Sequence, residues 1–98
     1  MVDFEWDPSK NDSNKLKVSF EDAKHVINDQ DGIEKISNVR GEIRFLRIGK
    51  SATNLILLVV YTMRRVAVRI ISARQASRLE RNAYLEKKLN KDAKDENE

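Results

Sequence analysis

The feature that most constrains the fold is a nearly continuous run of leucine and β-branched residues at positions 55–63, LILLVVYTM. A run of this length between turn residues is typical of a central β-strand that is buried on both faces. Its uninterrupted apolar part, residues 55–61, is too short to span a bilayer, which needs about 20 residues. We therefore expect neighbouring strands and helices of a soluble domain to cover this segment.

Two flanking segments also have strand patterns. Residues 41–49, GEIRFLRIG, alternate apolar and charged side chains, and residues 66–71 are rich in valine and isoleucine. Residues 50–54 form the predicted turn between the first two strands, and Arg64-Arg65 lies at the second reversal. Three consecutive strands with short connections predict one antiparallel sheet.

Signals for a first strand and two helices precede the sheet. Residues 2–7 alternate loosely and predict a short strand. An aspartate–proline pair at positions 7–8 predicts the start of a polar helix over residues 9–15. Ser19 predicts the N-cap of a second helix, which Gly32 ends in a left-handed conformation. The apolar face of that helix comprises Phe20, Ala23, Val26 and Ile27.

The last helix is predicted from a capping box, because Ser72 and Gln75 have the S-x-x-Q spacing. It begins at Ala73 and continues to about Leu89, and the charged tail that follows, residues 90–98, is expected to be disordered. The element order β-α-α-β-β-β-α predicts an α+β fold, a small antiparallel sheet with helices packed on it. The residues expected to face inward from the last helix are Leu79, Ala83 and either Tyr84 or Leu85.

Composition places the chain among small globular proteins. Its 98 residues are 40% hydrophobic and 36% charged, enough for one domain, residues 1–89, with a modest core. The absence of cysteine excludes disulfides and thiolate metal sites and fits a reducing compartment. The N-terminus is acidic and lacks the apolar stretch of a secretory signal. We therefore expect a cytoplasmic protein.

The charges are segregated along the sequence. Residues 40–81 carry ten lysines and arginines against two acids, whereas residues 1–39 carry five lysines against nine acids. Arginine presents a planar, permanently charged fork that suits phosphate groups. The segregation therefore indicates a phosphate-binding surface, and the alternative is a solvated face on which the arginines bind nothing.

Several arginines have positions that would suit a phosphate. Arg44, Arg64 and Arg69 lie in or beside the predicted strands, where a rigid sheet fixes them. Arg74 and Arg78 lie near the start of the last helix, whose N-terminus attracts anions, and with Arg81 they have the spacing of one side of a helix.

Catalysis at such a surface could use Glu42. Side chains two apart on a strand point to the same face, so Glu42 would lie beside Arg44. A carboxylate that stays ionised beside guanidinium groups can remove a proton from a ribose 2′-hydroxyl, and neighbouring arginines can stabilise the resulting phosphorane. This chemistry needs neither a metal nor another cofactor. A purely structural pair of Glu42 and Arg44 is the alternative.

Three further residues have both a functional and a structural interpretation. His25, the single histidine, fits a solvated position better than a metal site, because too few other ligands have workable spacing. Ser72 fits the helix cap better than a nucleophile, because no general base adjoins it in sequence. Trp6 fits the core, although an exposed Trp6 would stack on a base. The three glycines are ungrouped, so they form no phosphate-binding loop.

Five stretches of the sequence resemble the BrnT toxins, and together they cover about residues 4–84. They are FEWDPSK at 4–10, VSFEDA at 18–23, GEIRF at 41–45, YTMR at 61–64 and RIISARQASRLER at 69–81. The resemblance implies a RelE-like fold and a cytoplasmic, metal-independent endoribonuclease toxin of a type II toxin–antitoxin pair. It also implies a BrnA-like antitoxin partner, whose complex with the toxin binds operator DNA.

The resemblance carries over to individual residues where the motifs match. It implies catalytic roles for Glu42, Arg44 and Arg69. RNA contacts are expected from Lys17, Arg64, Arg74 and, on the charge pattern, Arg78.

The chain departs from the family pattern at two places. Members of the family have a Lys-His pair and one further residue before Val-Ser-Phe, whereas here Lys17 is followed directly by Val18. Relatives also often have glycine where Arg65 stands, which suits a reversal that needs positive φ.

Three functional hypotheses follow. The first is a ribonuclease toxin that cleaves RNA and inhibits translation. The second is a catalytically impaired BrnT-like module that binds RNA and an antitoxin, and the missing histidine favours it. The third, a small DNA-binding regulator, is disfavoured because no helix-turn-helix with a basic recognition helix is evident.

Overall fold

The computed structural model describes residues 3–14 and 18–96. In chain order the elements are β1 (Asp3–Glu5), α1 (Pro8–Asn14), α2 (Phe20–Ile27), β2 (Ile33–Val39), β3 (Glu42–Lys50), β4 (Ile56–Arg64), β5 (Ala67–Gln75) and α3 (Arg78–Glu96). The strands form one sheet in the order β1-β5-β4-β3-β2. β1 runs parallel to β5, and the other three neighbouring pairs are antiparallel. The predicted α+β fold is confirmed, with a mixed sheet in place of a purely antiparallel one.

β2 is a strand that the sequence analysis did not predict. Its residues, IEKISNV, alternate poorly and are mostly exposed, because β2 lies at the edge of the sheet. A two-residue turn, Arg40-Gly41, joins it to β3, and both turn residues have positive φ, 54° and 83°. Two positive φ angles are typical of a type I′ hairpin, which favours glycine. Gly41 therefore lies in a turn, and the prediction that it opens a strand is wrong.

β5 is longer than predicted and displaces the start of the last helix. Ser72 pairs with Val60 in the β4–β5 ladder, so the predicted cap at Ser72 is wrong. The capping box is formed by Ser77 and Glu80: the Ser77 amide donates to Glu80 Oε1 at 2.7 Å, and the Glu80 amide donates to Ser77 Oγ at 3.2 Å. Both serines match the box pattern, but the first gains hydrogen bonds to β4 as part of the sheet.

α2 supplies the core on one face of the sheet, which we call the helix-packed face; the other is the open face. Ser19 caps α2 as predicted and accepts from the Asp22 amide at 3.2 Å. Trp6 meets Phe20 edge-on, with ring centroids 6.1 Å apart, and Phe4 packs against the same core, which confirms the core interpretation of Trp6. The core of this face comprises Phe20, Ala23 and Val26 of α2 with Leu57, Val59, Ile70 and Ala73 of the strands.

One arginine of the basic region is structural. Arg47 donates through Nε to the Val26 carbonyl at 3.0 Å and through Nη2 to the Asp29 carbonyl at 2.6 Å. Both carbonyls also accept a backbone amide, of Asp29 and Gly32 respectively, so Arg47 adds a second hydrogen bond to each and ties the segment after α2 to β3. Gly32 does not have the left-handed conformation that was predicted. It is needed for the close approach of Arg47, since a Cβ there would lie 2.7 Å from Arg47 Nη2.

α3 is anchored through Tyr84. This residue is 1% exposed, and its hydroxyl donates to Asp29 Oδ2 at 2.6 Å, an oxygen that also accepts the Lys50 amide. The other residues predicted to face inward are exposed: Leu79, Ala83 and Leu85. α3 extends to Glu96, beyond its predicted end, and the boundary between domain and tail at residue 89 stays a prediction. No helix in the described ranges is long and apolar enough to cross a membrane.

Candidate nucleic-acid interface

A row of polar side chains crosses the open face of the sheet. The strand registers align Glu5 of β1 with Arg69 of β5, and Arg69 with Thr62 of β4. The β3–β4 register, extended by one residue, brings Arg44 level with Thr62, and Arg44 pairs with Ser37 of β2. Directly opposed residues point to the same face. Arg44 and Arg69 are therefore separated by two strand spacings, about 10 Å, with Thr62 between them.

Two more charged residues lie on this face, toward the hairpin turns. Arg64 is two residues after Thr62 on β4, and Glu42 is two residues before Arg44 on β3, so each points to the same face as its neighbour. Arg44 Nη2 and Glu42 Oε2 are 3.3 Å apart. We name five charged residues at the hairpin-turn end of this face the open-face cluster: Glu5, Glu42, Arg44, Arg64 and Arg69.

The cluster is accessible, and its carboxylates are paired with arginines. Arg69 Nη1 lies 3.5 Å from Glu5 Oε1. The side chains of this pair and of the Arg44–Glu42 pair are between 32% and 51% exposed. Exposed ion pairs contribute only about 0–1 kcal/mol, so a phosphate group can displace either carboxylate at small cost. Glu5 Oε1 and Arg44 Nε are buried atoms without a hydrogen-bond partner among the described residues.

A bulge in β5 determines which arginines share the open face. Arg69 and Arg74 are five residues apart and would point to opposite faces of a regular strand. Between Val60 and Tyr61 of β4 the register shifts by one, because β5 contributes one extra residue, Ile71. Both arginines consequently point to the open face.

Arg74 is nevertheless held at the start of α3. Its Nη1 and Nη2 donate to the two carboxylate oxygens of Glu80 at 2.8 and 3.0 Å. The hydrogen bonds from Arg74 lower the pKa of Glu80 to about 2, and the same bonds raise the pKa of Arg74. Arg74 pairs with Leu58, which is four residues, about 13 Å, from Thr62 along β4. Arg78 is exposed on the first turn of α3, so neither arginine joins the open-face cluster.

Lys17 lies outside the described residues. The residues on either side of this stretch lie close together: the Val18 amide donates to the Asn14 carbonyl at 2.9 Å, and Asn14 Nδ2 donates to the Ala73 carbonyl of β5 at 2.8 Å.

The β4–β5 turn adds Arg65 and a shallow cavity to this region. The cavity has a volume of about 340 Å³ and is lined by Glu5, Arg64, Arg65, Val66 and Ala67. Arg65 has a φ of 58°, so the turn does need positive φ at this position. This conformation costs a residue with a side chain about 1–2 kcal/mol. The strained residue thus lines the cavity beside the open-face cluster.

The remaining sequence candidates do not join the cluster. His25 is exposed on α2, which confirms its solvated interpretation. Ser72 lies in β5 and pairs with Val60, with no helix to cap. In the part of the chain that the structure describes, no three histidine, aspartate or glutamate side chains are placed to hold a metal ion.

Sequence reasoning missed Glu5 and Arg65. Phe4 and Trp6 belong to the core, and because strand residues alternate, Glu5 between them points to the open face. The face to which Glu5 points could therefore have been predicted from the sequence. The position of Glu5 beside Arg69 depends on the parallel β1–β5 register, which no local pattern predicts.

Comparison with known proteins identifies the family of the chain. The family described as "Ribonuclease toxin, BrnT, of type II toxin-antitoxin system" matches residues 6–80, well over half of the chain. The match includes every residue of the open-face cluster except Glu5. No individual curated protein matches the chain. This chain belongs to the BrnT family, the ribonuclease toxins of type II toxin–antitoxin systems, which act with an antitoxin protein.

Proposed function

We propose that this protein is a metal-independent endoribonuclease that cleaves RNA at the open-face cluster and thereby inhibits translation. The observation that carries the proposal is the row formed by Glu5, Arg69, Thr62 and Arg44 across four strands. The row is accessible, and its arginines are fixed by backbone pairing in the sheet. Its ion pairs are weak enough to give way to phosphate.

The cluster supports RNA binding through its arginines. Arg44, Arg64 and Arg69 supply guanidinium groups on one surface, which suits the phosphates of a single strand. Lys17, Arg74 and Arg78 remain candidates for outer contacts. Arg74 is the weakest of these, because an RNA phosphate would have to replace both of its hydrogen bonds to Glu80.

The chemistry assigned to the cluster is attack by a ribose 2′-hydroxyl on the adjacent phosphorus. Glu42 removes the hydroxyl proton, and the 2′-oxygen forms a bond to phosphorus. Arg44 and Arg69 stabilise the negative charge that develops on the phosphoryl oxygens. The bond to the 5′-oxygen then breaks, that oxygen takes up a proton from water, and Glu42 releases its proton to the solvent. The products are a 2′,3′-cyclic phosphate and a 5′-hydroxyl, and no metal is needed because arginines supply the positive charge.

The partner in this proposal is a BrnA-like antitoxin that holds the toxin inactive in the cytoplasm. The complex of the two proteins binds operator DNA. The expected antitoxin is acidic, because the surface it must neutralise carries the excess of arginine.

A second candidate function is a module that binds RNA and antitoxin without cleaving RNA. The observation that favours it is the direct Lys17–Val18 junction, where relatives have a histidine. Histidine exchanges protons near neutral pH, so its loss would slow proton transfer and leave the arginine contacts intact.

Expression without a partner in a bacterial host distinguishes the two functions. We expect growth arrest with the wild-type protein, relief with Arg69→Ala, and arrest with Lys24→Gln, which removes one charge from α2 on the helix-packed face. Arg69→Ala should fold normally, because the pair with Glu5 is about a third exposed. Normal growth with abundant soluble wild-type protein would reject the toxin and leave the binding module.

A further inference from the structure

We propose that the cavity beside the β4–β5 turn is a base-reading subsite in which Glu5 accepts hydrogen bonds from guanine. The proposal rests on the proposed function, because it requires single-stranded RNA to lie along the open-face cluster. Glu5 lies outside the 6–80 family match, so the match assigns it no role.

Glu5 is held in place as an acceptor. Its Oε1 is buried and lies 3.5 Å from Arg69 Nη1, while the side chain as a whole remains 38% exposed. The accessible part of the carboxylate is therefore Oε2. Pairing of β1 with β5 fixes the backbone, and the burial of Oε1 limits the directions in which the carboxylate can turn. A ligand thus meets an oriented carboxylate at a small entropic cost.

The cavity next to Glu5 has the size and lining for one nucleotide. Its volume of about 340 Å³ lies at the small end of the roughly 300–1,000 Å³ found for ligand sites. Arg64 and Arg65 supply positive charge for the adjoining phosphate, and Val66 and Ala67 supply apolar surface for a base. An acceptor, two cations and apolar surface together match a nucleotide better than a bare phosphate.

The carboxylate selects guanine among the four bases. An ionised carboxylate only accepts hydrogen bonds. Guanine presents two adjacent donors, N1–H and N2–H, and a carboxylate oxygen can accept from both, whereas the donors of adenine, cytosine and uracil adjoin acceptors that repel the carboxylate. Single-stranded RNA is commonly recognised through such base edges. Because Oε1 is buried, guanine donates both protons to the accessible Oε2.

The test is binding of uridine decamers that carry guanosine, inosine or adenosine at one central position. The central sugars are 2′-deoxy, so that the strand resists cleavage. Inosine lacks the N2 amino group and therefore tests the second hydrogen bond without any change to the protein. The protein variants are Glu5→Gln and, as a charge-matched control, Glu86→Gln on the exposed side of α3.

We expect the wild-type protein to bind the guanosine decamer about tenfold more tightly than the adenosine decamer, with inosine between them. Glu5→Gln should reduce this ratio to about twofold or less, and Glu86→Gln should preserve it. Equal binding of all three decamers, or a ratio that survives in Glu5→Gln, would overturn the subsite while leaving the ribonuclease proposal intact. Absence of any RNA binding or cleavage by the wild-type protein would overturn both. If Glu5→Gln fails to fold, the wild-type protein alone tests the subsite, because equal affinity for the inosine and guanosine decamers would reject the second hydrogen bond.

Discussion

Arg65→Gly should make the protein more stable and a weaker RNA binder. Arg65 has a φ of 58° in the β4–β5 turn, a conformation that costs a non-glycine residue about 1–2 kcal/mol. Glycine avoids this strain, but its greater freedom in the unfolded chain opposes the gain by about 0.5–1 kcal/mol. The net expectation is a free energy of unfolding higher by about 0.5–1 kcal/mol. For a domain of this size that corresponds to a rise in Tm of about 2–8 °C.

The same substitution removes one cation from the edge of the open-face cluster. Each phosphate neutralised on a single strand contributes about −0.7 to the slope of log K against log salt. Four arginines at this surface, Arg44, Arg64, Arg65 and Arg69, predict a slope of about −3 for single-stranded RNA. Arg65→Gly should reduce it to about −2.

Urea unfolding and fluorescence anisotropy at several salt concentrations measure the two effects separately. Arg40→Gly is the control for stability, because Arg40 also has positive φ, 54°, in a hairpin turn and should be stabilised comparably by glycine. Lys24→Gln is the control for charge and should leave the slope unchanged. Unchanged or lower stability of Arg65→Gly would refute the strain argument. An unchanged slope would place Arg65 outside the path of the RNA.

Three further predictions concern other parts of the molecule. Hydrogen bonds from Arg74 lower the pKa of Glu80 from 4.5 to about 2, so their stabilisation is present above pH 4.5 and is lost as the pH falls toward 2. Glu80→Gln should therefore lower the free energy of unfolding by about 1 kcal/mol at pH 7, measured by urea unfolding. A difference from wild type that persists at pH 2 would contradict this. Gly32→Ala should lower the free energy of unfolding by about 1–3 kcal/mol in the same assay, because the added Cβ displaces Arg47 from the Val26 and Asp29 carbonyls. Wild-type stability would show that the Arg47 side chain can move without losing these hydrogen bonds. Inserting a histidine and a small residue between Lys17 and Val18 should raise the single-turnover cleavage rate at least tenfold, because a general acid–base catalyst contributes about 10²–10⁴-fold. RNA affinity should change little. An equal cleavage rate in both proteins would show that the short junction is only a structural variation.

Local signals predicted the parts of the fold that depend on neighbouring residues. The Ser19 cap and the proline at the start of α1 depend on hydrogen bonds and dihedral angles within a few residues, and both are observed. The central strand β4 was predicted from its apolar run alone. Its burial follows from the hydrophobic effect whatever its partners are.

Parts that depend on sheet pairing were not predicted. Ser72 and Ser77 carry equivalent capping patterns, and only the hydrogen bonds of β5 to β4 decide between them. β2 has weak alternation because it is an edge strand, so its pattern could not be separated from a loop. Gly41 was the one local sign of its hairpin.

For the candidate site, the sequence predicted which residue types take part better than it predicted how they are arranged on the sheet. Glu42 and Arg44 were placed together correctly, because two residues on one strand share a face whatever the topology. Arg69 and Arg74 share a face only because of the bulge at Ile71, and Arg74 is engaged by Glu80, which the sequence assigned to the interior of a helix. The role of these residues in RNA cleavage stays a proposal.

The central claim is that Arg69 and its neighbours on the open face carry out metal-independent RNA cleavage. Single-turnover cleavage of one end-labelled RNA in the presence of EDTA tests it most directly, with wild type, Arg69→Ala and Lys24→Gln compared. We predict that wild type and Lys24→Gln leave a 2′,3′-cyclic phosphate at equal rates. Arg69→Ala should cleave about 10²–10³-fold more slowly, the effect of removing one stabiliser of developing charge. Activity that is abolished by EDTA and restored by magnesium, or an Arg69→Ala variant as fast as wild type, would contradict the account.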